Sequence, residues 1–196
     1  VKRVGLVARG DLERARRVAL EAAQLLEARG VEVLGVEPVS VKGGSTLLSV
    51  RELARQHPDL VVGFGGDGTL LKIVRDLDGE IPVLGVNVGG RGILAEVRPE
   101  ELPQALDALL EGAYTLDRRL RVRAYVGEEA SPPATNDILL SRVGWARTPT
   151  YTIQVEGCLA FHQRMDGLLV TTPTGSTGHS YTVGGPILHE HLEALL

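Results

Sequence analysis

The sequence predicts an α/β N-terminal domain with a parallel sheet and a glycine-rich phosphate loop, followed by a β-rich C-terminal domain that is expected to be truncated. Three observations carry this. Over residues 1–112, short β-branched runs alternate with helix-periodic segments, the pattern of βαβ units. From residue 113 to 196 the helical period disappears and strand-like runs follow one another. The 24 glycines among 196 residues cluster at the ends of apolar runs, where strand-end loops need them, rather than among polar residues as in a disordered chain.

Val1–Val7 reads as a buried strand. Asp11 offers an N-cap to a helix whose apolar positions Leu12, Ala15, Val18, Ala19, Ala22, Leu25 and Leu26 recur at helical spacing, with Gly30 as its stop. Val31–Val36 is a second strand and Thr46–Gln56 a second helix, ended by His57 and Pro58. Leu60–Phe64 is a third strand, and after Gly65-Gly66-Asp67-Gly68 comes a helix over Thr69–Leu77. Ile81–Val86 runs as a fourth strand into a second glycine-rich turn, Asn87–Gly92, and a helix over Glu100–Leu110 closes the domain. Beyond it, Leu116–Val126, Ala134–Ser141, Thr150–Val155, Cys158–Gln163 and Leu168–Thr172 are strand-like, and Trp145 is expected to serve packing. Thr172–Gly185 is dense in Gly, Ser and Thr and reads as a loop; a β domain that stops so soon after it is expected to need further native sequence.

Twenty-one Lys and Arg against 25 Asp and Glu leave a net charge of −4, so no basic excess drives binding to nucleic acid. No apolar stretch reaches the roughly 20 residues of a membrane-spanning helix, and Val1–Gly10 lacks the apolar core of a secretory signal. A cytoplasmic protein is expected, with neither nucleic acid nor membrane as partner. The one cysteine, Cys158, excludes an intramolecular disulfide and a thiolate metal cluster, and His57, His162, His189 and His191 have no metal-ligand spacing.

Chemistry concentrates first in Gly63-Phe64-Gly65-Gly66-Asp67-Gly68-Thr69. Glycines after a buried strand let successive N–H groups turn toward one anion, and the next helix adds the positive end of its dipole. A carboxylate repels phosphate, so Asp67 needs a task there: accepting a proton from an attacking hydroxyl, holding Mg²⁺, or capping the helix. The loop has neither the Gly-Lys-Ser/Thr of a Walker motif nor the spacing of a dinucleotide fingerprint.

Gly65-Gly66-Asp67-Gly68-Thr69 resembles the GGDGT motif shared by NAD kinases, diacylglycerol-type lipid kinases and, more loosely, phosphofructokinases. Thr135-Asn136-Asp137 resembles the Asn-acid motif of NAD kinases, and Asp166 to Ser180 resembles their DG…TPTGSTAYS signature. Asn87-Val88-Gly89 and Gly184-Gly185-Pro186 also fit, so the likeness runs from Val4 to Pro186. Lipid kinases share GGDGT but lack Thr172–Ser180, and a module that only senses NAD or NADP would have no need of an acid beside phosphates.

The resemblance implies phosphorylation of NAD to NADP, by ATP or polyphosphate, in a cleft between the two domains. Asp67 would take the proton from the 2′-hydroxyl of the adenosine ribose as that oxygen attacks the γ-phosphorus. Gly65, Gly66, Gly68, Thr69 and Lys72 would surround phosphate, with Asn87 in the following turn. Asn136 and Asp137 would hold the adenosine, while Thr174, Thr177, Gly178, His179, Ser180, Tyr181 and Thr182 would line the dinucleotide. Asp166 would reach a nicotinamide amide, across a subunit interface, and Arg147 and Arg164 would pair with phosphate. A divalent metal, Mg²⁺ with ATP, and a homodimer or homotetramer are implied as well. Two departures bear on affinity or specificity: Gly178-His179 stands where the family writes Ala-Tyr, and Gly90-Arg91-Gly92-Ile93-Leu94 puts Ile93 where an aromatic is common.

Overall fold

The computed structural model describes residues 1–77, 81–90, 92–144 and 147–196, which form two compact units, Val1–Asp117 and Arg118–Leu196. Arg91 and Trp145, both named above, lie outside the described residues.

In the first unit β1 (Arg3–Ala8), α1 (Glu13–Glu27), β2 (Glu32–Val36), β3 (Ser45–Leu47), α2 (Val50–Arg55), β4 (Leu60–Gly65), α3 (Asp67–Leu77), β5 (Val83–Asn87) and α4 (Leu102–Glu111) follow in order. The strands make one parallel sheet in the order β3-β2-β1-β4-β5. Alternation along the strands builds two apolar layers. Val4, Leu6, Ala8, Val33, Val62 and Phe64 face Ala15, Val18, Ala22 and Leu26 of α1 and Leu102, Leu106 and Leu109 of α4. Val7, Leu34, Val36 and Val61 face Val50 and Leu53 of α2 and Leu70, Ile73 and Leu77 of α3. This is the α/β arrangement with a parallel sheet that the alternating runs predict, here with helices on both faces.

Three local expectations change. Asp11 does not cap α1: Leu12 is the N-cap, with no side-chain bond, and the Asp11 carboxylate instead accepts from Arg9 Nε and Nη2 at 2.7 and 2.8 Å. That hydrogen bond holds the Asp11 carboxyl below the ordinary carboxylate range. Thr46–Gln56 is not one helix; Ser45–Leu47 pairs with β2 as an edge strand, and α2 starts only after Ser49. The reason is a reciprocal cap: Ser49 Oγ accepts the Glu52 N–H at 3.2 Å, while Glu52 Oε2 accepts the Leu48 N–H at 2.9 Å. Finally α3 begins at Asp67, so the acid belongs to the first helical turn.

In the second unit β6 (Tyr125–Val126) pairs with β7 (Glu129–Ala130). β8 (Asp137–Ser141), β9 (Thr150–Val155), β10 (Cys158–Arg164) and β11 (Gly167–Thr171) complete the strands, β9 pairing with β10 and β8 with β11, all antiparallel. The β9–β10 turn, Glu156-Gly157, has φ of 51° and 79°, the left-handed pair that a two-residue hairpin requires. Of the expected strand Leu116–Val126 only Tyr125–Val126 is ladder, with a single bridge from Val122 to Ala134. Thr172–Gly185, expected as a loop, coils into a 3₁₀ turn, Thr174–Thr177, and α5 (His179–Thr182). Its hydroxyls explain the compactness: Ser176 Oγ donates to Pro173 O and accepts the Leu188 N–H at 2.7 and 2.9 Å, tying the coil to the chain that follows. The Leu196 backbone pairs with Thr171 in both directions.

Candidate functional site

The sheet order reverses at β1 and β4: one crossover leaves β1 toward β2 and the later ones continue from β4 to β5 on the other side. At such a switch point the loops at the carboxyl ends of the two strands diverge and leave a crevice. Here a cavity of about 570 Å³ is lined by Arg9 and Gly10 after β1, by Pro38 after β2, and by Gly66, Thr69 and Lys72 from the β4–α3 turn. At the head of α3, Thr69 and Leu70 donate to the Gly66 carbonyl, while the N–H groups of Asp67 and Gly68 have no acceptor among the described residues. Arg9 and Gly10 lie outside the set expected from sequence; the signal for them is the strand order, which no local motif carries.

Gly65 must be glycine because a Cβ there would lie 2.3 Å from Thr69 Oγ1. The Asp67 side chain turns away from that contact to the segment just after the second glycine-rich turn. Its Oδ2 accepts the Ile93 N–H at 2.8 Å, and Oδ1 accepts those of Leu94 and Ala95 at 3.0 and 3.2 Å. Asp67 therefore does not cap its own helix. Asn87, the last residue of β5, folds its side chain within the same turn, donating to Gly90 O at 2.9 Å and accepting the Gly89 N–H at 3.2 Å. Ile93 has an exposed side chain and contributes through its backbone.

In the second unit Asn136-Asp137 and Thr172–Ser180, far apart in sequence, are neighbours. Pairing of β8 with β11 sets Asp137 opposite Thr171, and the Asn136 carbonyl accepts from Thr172 N and Thr171 Oγ1 at 2.8 and 3.0 Å. Thr172 Oγ1 donates to Thr135 O. The fully buried hydroxyls of the motif, on Thr171, Thr172 and Ser176, are thus occupied by backbone, whereas Thr174 is only half-buried and Thr177 exposed. Sequence reasoning omitted Thr171, Thr172 and Ser176 as supports, although a hydroxyl beside a strand end is a known signal for backbone bonding. Asn136 Oδ1 is buried without a hydrogen-bond partner among the described residues, an acceptor left available where a ligand donor is expected. A Cβ at Gly178 would lie 3.3 Å from Gly175 O and 3.8 Å from Asn136 Nδ2, so an alanine there requires the Gly175 carbonyl to give by a few tenths of an ångström. His179, Tyr181 and Thr182 are exposed on α5, Ser180 is buried, and Thr182 Oγ1 donates to His179 O at 2.7 Å.

The remaining candidates are dispersed. Arg147 is exposed. Arg164 reaches the Thr148 carbonyl at 3.4 Å with two of its nitrogens. Asp166, expected free to reach a ligand, pairs with Arg142 Nε at 3.0 Å, a partner that sequence spacing did not suggest. Among the described residues no group of three His, Cys, Asp or Glu is placed to hold a metal ion.

Two family models match the chain: the ATP-NAD kinase N-terminal domain over residues 4–114 and the ATP-NAD kinase C-terminal domain over residues 135–196. The NAD kinase of Thermococcus sibiricus is 33% identical over 98% of this chain and 70% of its own length. That of Thermococcus gammatolerans is 38% identical over 97% of this chain and 69% of its own, and that of Ralstonia nicotianae 36% identical over 100% and 67%. Among solved structures, an Archaeoglobus fulgidus NAD kinase in complex with ATP superposes with a TM-score of 0.76 at 28% identity, covering 98% of this chain and 70% of that one. Yeast NADH kinase complexed with NADH gives a TM-score of 0.85 at 23% identity, which establishes the shared fold; it covers 100% of this chain and 64% of the yeast chain. The chain thus spans about 70% of the length of its curated relatives. With both family models matched in order, and relatives above 30% identity along nearly the whole chain, it belongs to the NAD kinase family.

Proposed function

We propose that this protein transfers the γ-phosphoryl group of ATP to the 2′-hydroxyl of the adenosine ribose of NAD, giving NADP and ADP. The observation that carries the reading is an acid, Asp67, between Gly66 and Gly68, two residues that line a cavity of about 570 Å³ at the switch point of a parallel sheet. As the ribose oxygen bonds to the γ-phosphorus and the bond to the β-phosphate oxygen breaks, Asp67 takes the hydroxyl proton. Lys72, Arg9 and the N–H groups of Asp67 and Gly68 offset phosphate charge. Gly65, Thr69 and Asn87 hold the two turns in register around them. Asn136 Oδ1 accepts from the adenosine, and Asp137 accepts from ribose hydroxyls.

The acidic residues that line the cavity are Asp11, Glu37 and Asp76; Asp11 is paired with Arg9 and Asp76 Oδ1 accepts from Arg75 Nε at 3.2 Å, which leaves Glu37 and the second Asp76 oxygen for a metal that arrives on the nucleotide. Those two would hold Mg²⁺ there, and the bound ion would neutralise charge developing on the phosphates. Polyphosphate as donor, a homodimer or homotetramer, and a cytoplasmic location belong to the same reading; among the described residues no helix is long and apolar enough to cross a membrane.

Incubating the protein with NAD and ATP·Mg²⁺ should yield NADP, detected by a dehydrogenase specific for NADP. No NADP from either ATP or polyphosphate would sink the reading. Within it, Asp137→Asn should weaken NAD binding on the order of 10-fold, the scale of a charge-assisted hydrogen bond. Calorimetry reads this directly, and an unchanged Kd would remove Asp137 from the site.

A further inference from the structure

We infer that Gly92, with the backbone of Ile93 to Ala95, is a positioning element for the Asp67 carboxylate. The inference rests on the role proposed for Asp67 and adds a residue to it. Three consecutive N–H groups grip both oxygens of one side chain: Oδ1 takes Leu94 and Ala95, Oδ2 takes Ile93 alone. Two donors nearly fill Oδ1, and a single donor leaves Oδ2 with an open lone pair, so Oδ2 is the atom that receives the ribose proton.

The grip is stiff because the segment is tied down beyond it. Ala95 is buried in the layer under α3 beside Leu70. Two residues further, the Val97 N–H donates to Gly85 O at 3.2 Å and Val97 O accepts the Asn87 N–H at 2.8 Å. Gly92 closes the other end. A Cβ there would stand 2.9 Å from Asp67 Oδ1 and 3.0 Å from Asn87 Nδ2. Neither atom can retreat without loss, since Oδ1 already accepts two N–H bonds and Nδ2 is committed to Gly90 O. Glycine at 92 is therefore required by the close approach of the carboxylate rather than by backbone conformation, and it acts through Asp67.

The test compares Gly92→Ala with Glu96→Ala, an exposed side chain on the same segment that takes no part in the contacts to Asp67. In Gly92→Ala, kcat for NADP formation should fall about 10-fold or more, with KM for NAD within about 2-fold and the melting temperature near wild type; Glu96→Ala should match wild type throughout. Amide hydrogen exchange at Ile93, Leu94 and Ala95 gives a reading that needs no turnover: it should quicken at least 10-fold in Gly92→Ala and not in Glu96→Ala. Unchanged exchange, or a kcat equal to wild type in an active enzyme, overturns the inference. An inactive wild type with the expected exchange pattern overturns the proposed reaction and leaves the positioning element standing.

Discussion

Replacing Asp67 by Asn is expected to lower kcat for NAD phosphorylation by about 10²-fold or more, the scale of a positioned general base, while NAD still binds. An amide cannot take the ribose proton, and here it also fits its surroundings poorly. The carboxylate accepts three backbone N–H groups; the amide has one acceptor oxygen, so its NH₂ must face at least one N–H donor. Each lost bond to a formerly charged acceptor costs roughly 1 to 3 kcal/mol, so the 92–95 segment should loosen as well. The two effects separate by measurement: turnover reports the base, and amide exchange at 93–95 reports the clamp. Near-normal turnover with loosened amides would reduce Asp67 to a structural tie between the two turns.

How much of this was legible in the sequence follows from the range of each interaction. Strands, helices and the glycine turn rest on local period and on the chemistry of a few adjacent residues, and β9 spans Thr150–Val155 as the pattern predicts. Thr46–Gln56 is not one helix because Ser49 and Glu52, a local pair visible in the sequence, set the start of α2 inside it. Thr172–Gly185 departs from a loop for a different reason. Its composition favours turns, but buried hydroxyls that bond to backbone three residues away stabilise a coil just as well. The partners of Asp67, 26 to 28 residues downstream, and of Asp166, at Arg142, depend on tertiary placement and leave no trace in spacing. The cavity residues Arg9 and Gly10 become visible only once β1 is seen beside β4.

The same tertiary dependence makes Gly85 the position where stability and site are most tightly joined. Gly85 is buried at the centre of β5, and a Cβ there would lie 2.4 Å from Leu70 Cδ1 and 2.8 Å from Ala95 Cα. The leucine end can swing, but the Ala95 backbone is held by its N–H bond to Asp67 and by the neighbouring Val97 bridge to β5. Gly63 offers the contrast, since a Cβ there would touch only the ends of the Ile73 and Leu70 side chains below 3.0 Å. Gly85→Ala should therefore cost about 1 to 3 kcal/mol, the usual range for overpacking a closed core, and Gly63→Ala less. Urea denaturation of the three proteins reads the difference as a shift in midpoint at constant slope. Because Ala95 must move, Gly85→Ala should also speed amide exchange at Leu94 and Ala95 under native conditions, whereas Gly63→Ala should leave those amides protected. Equal destabilisation by the two substitutions, with protection intact in both, would show that the sheet absorbs the added methyl without disturbing the segment that holds Asp67.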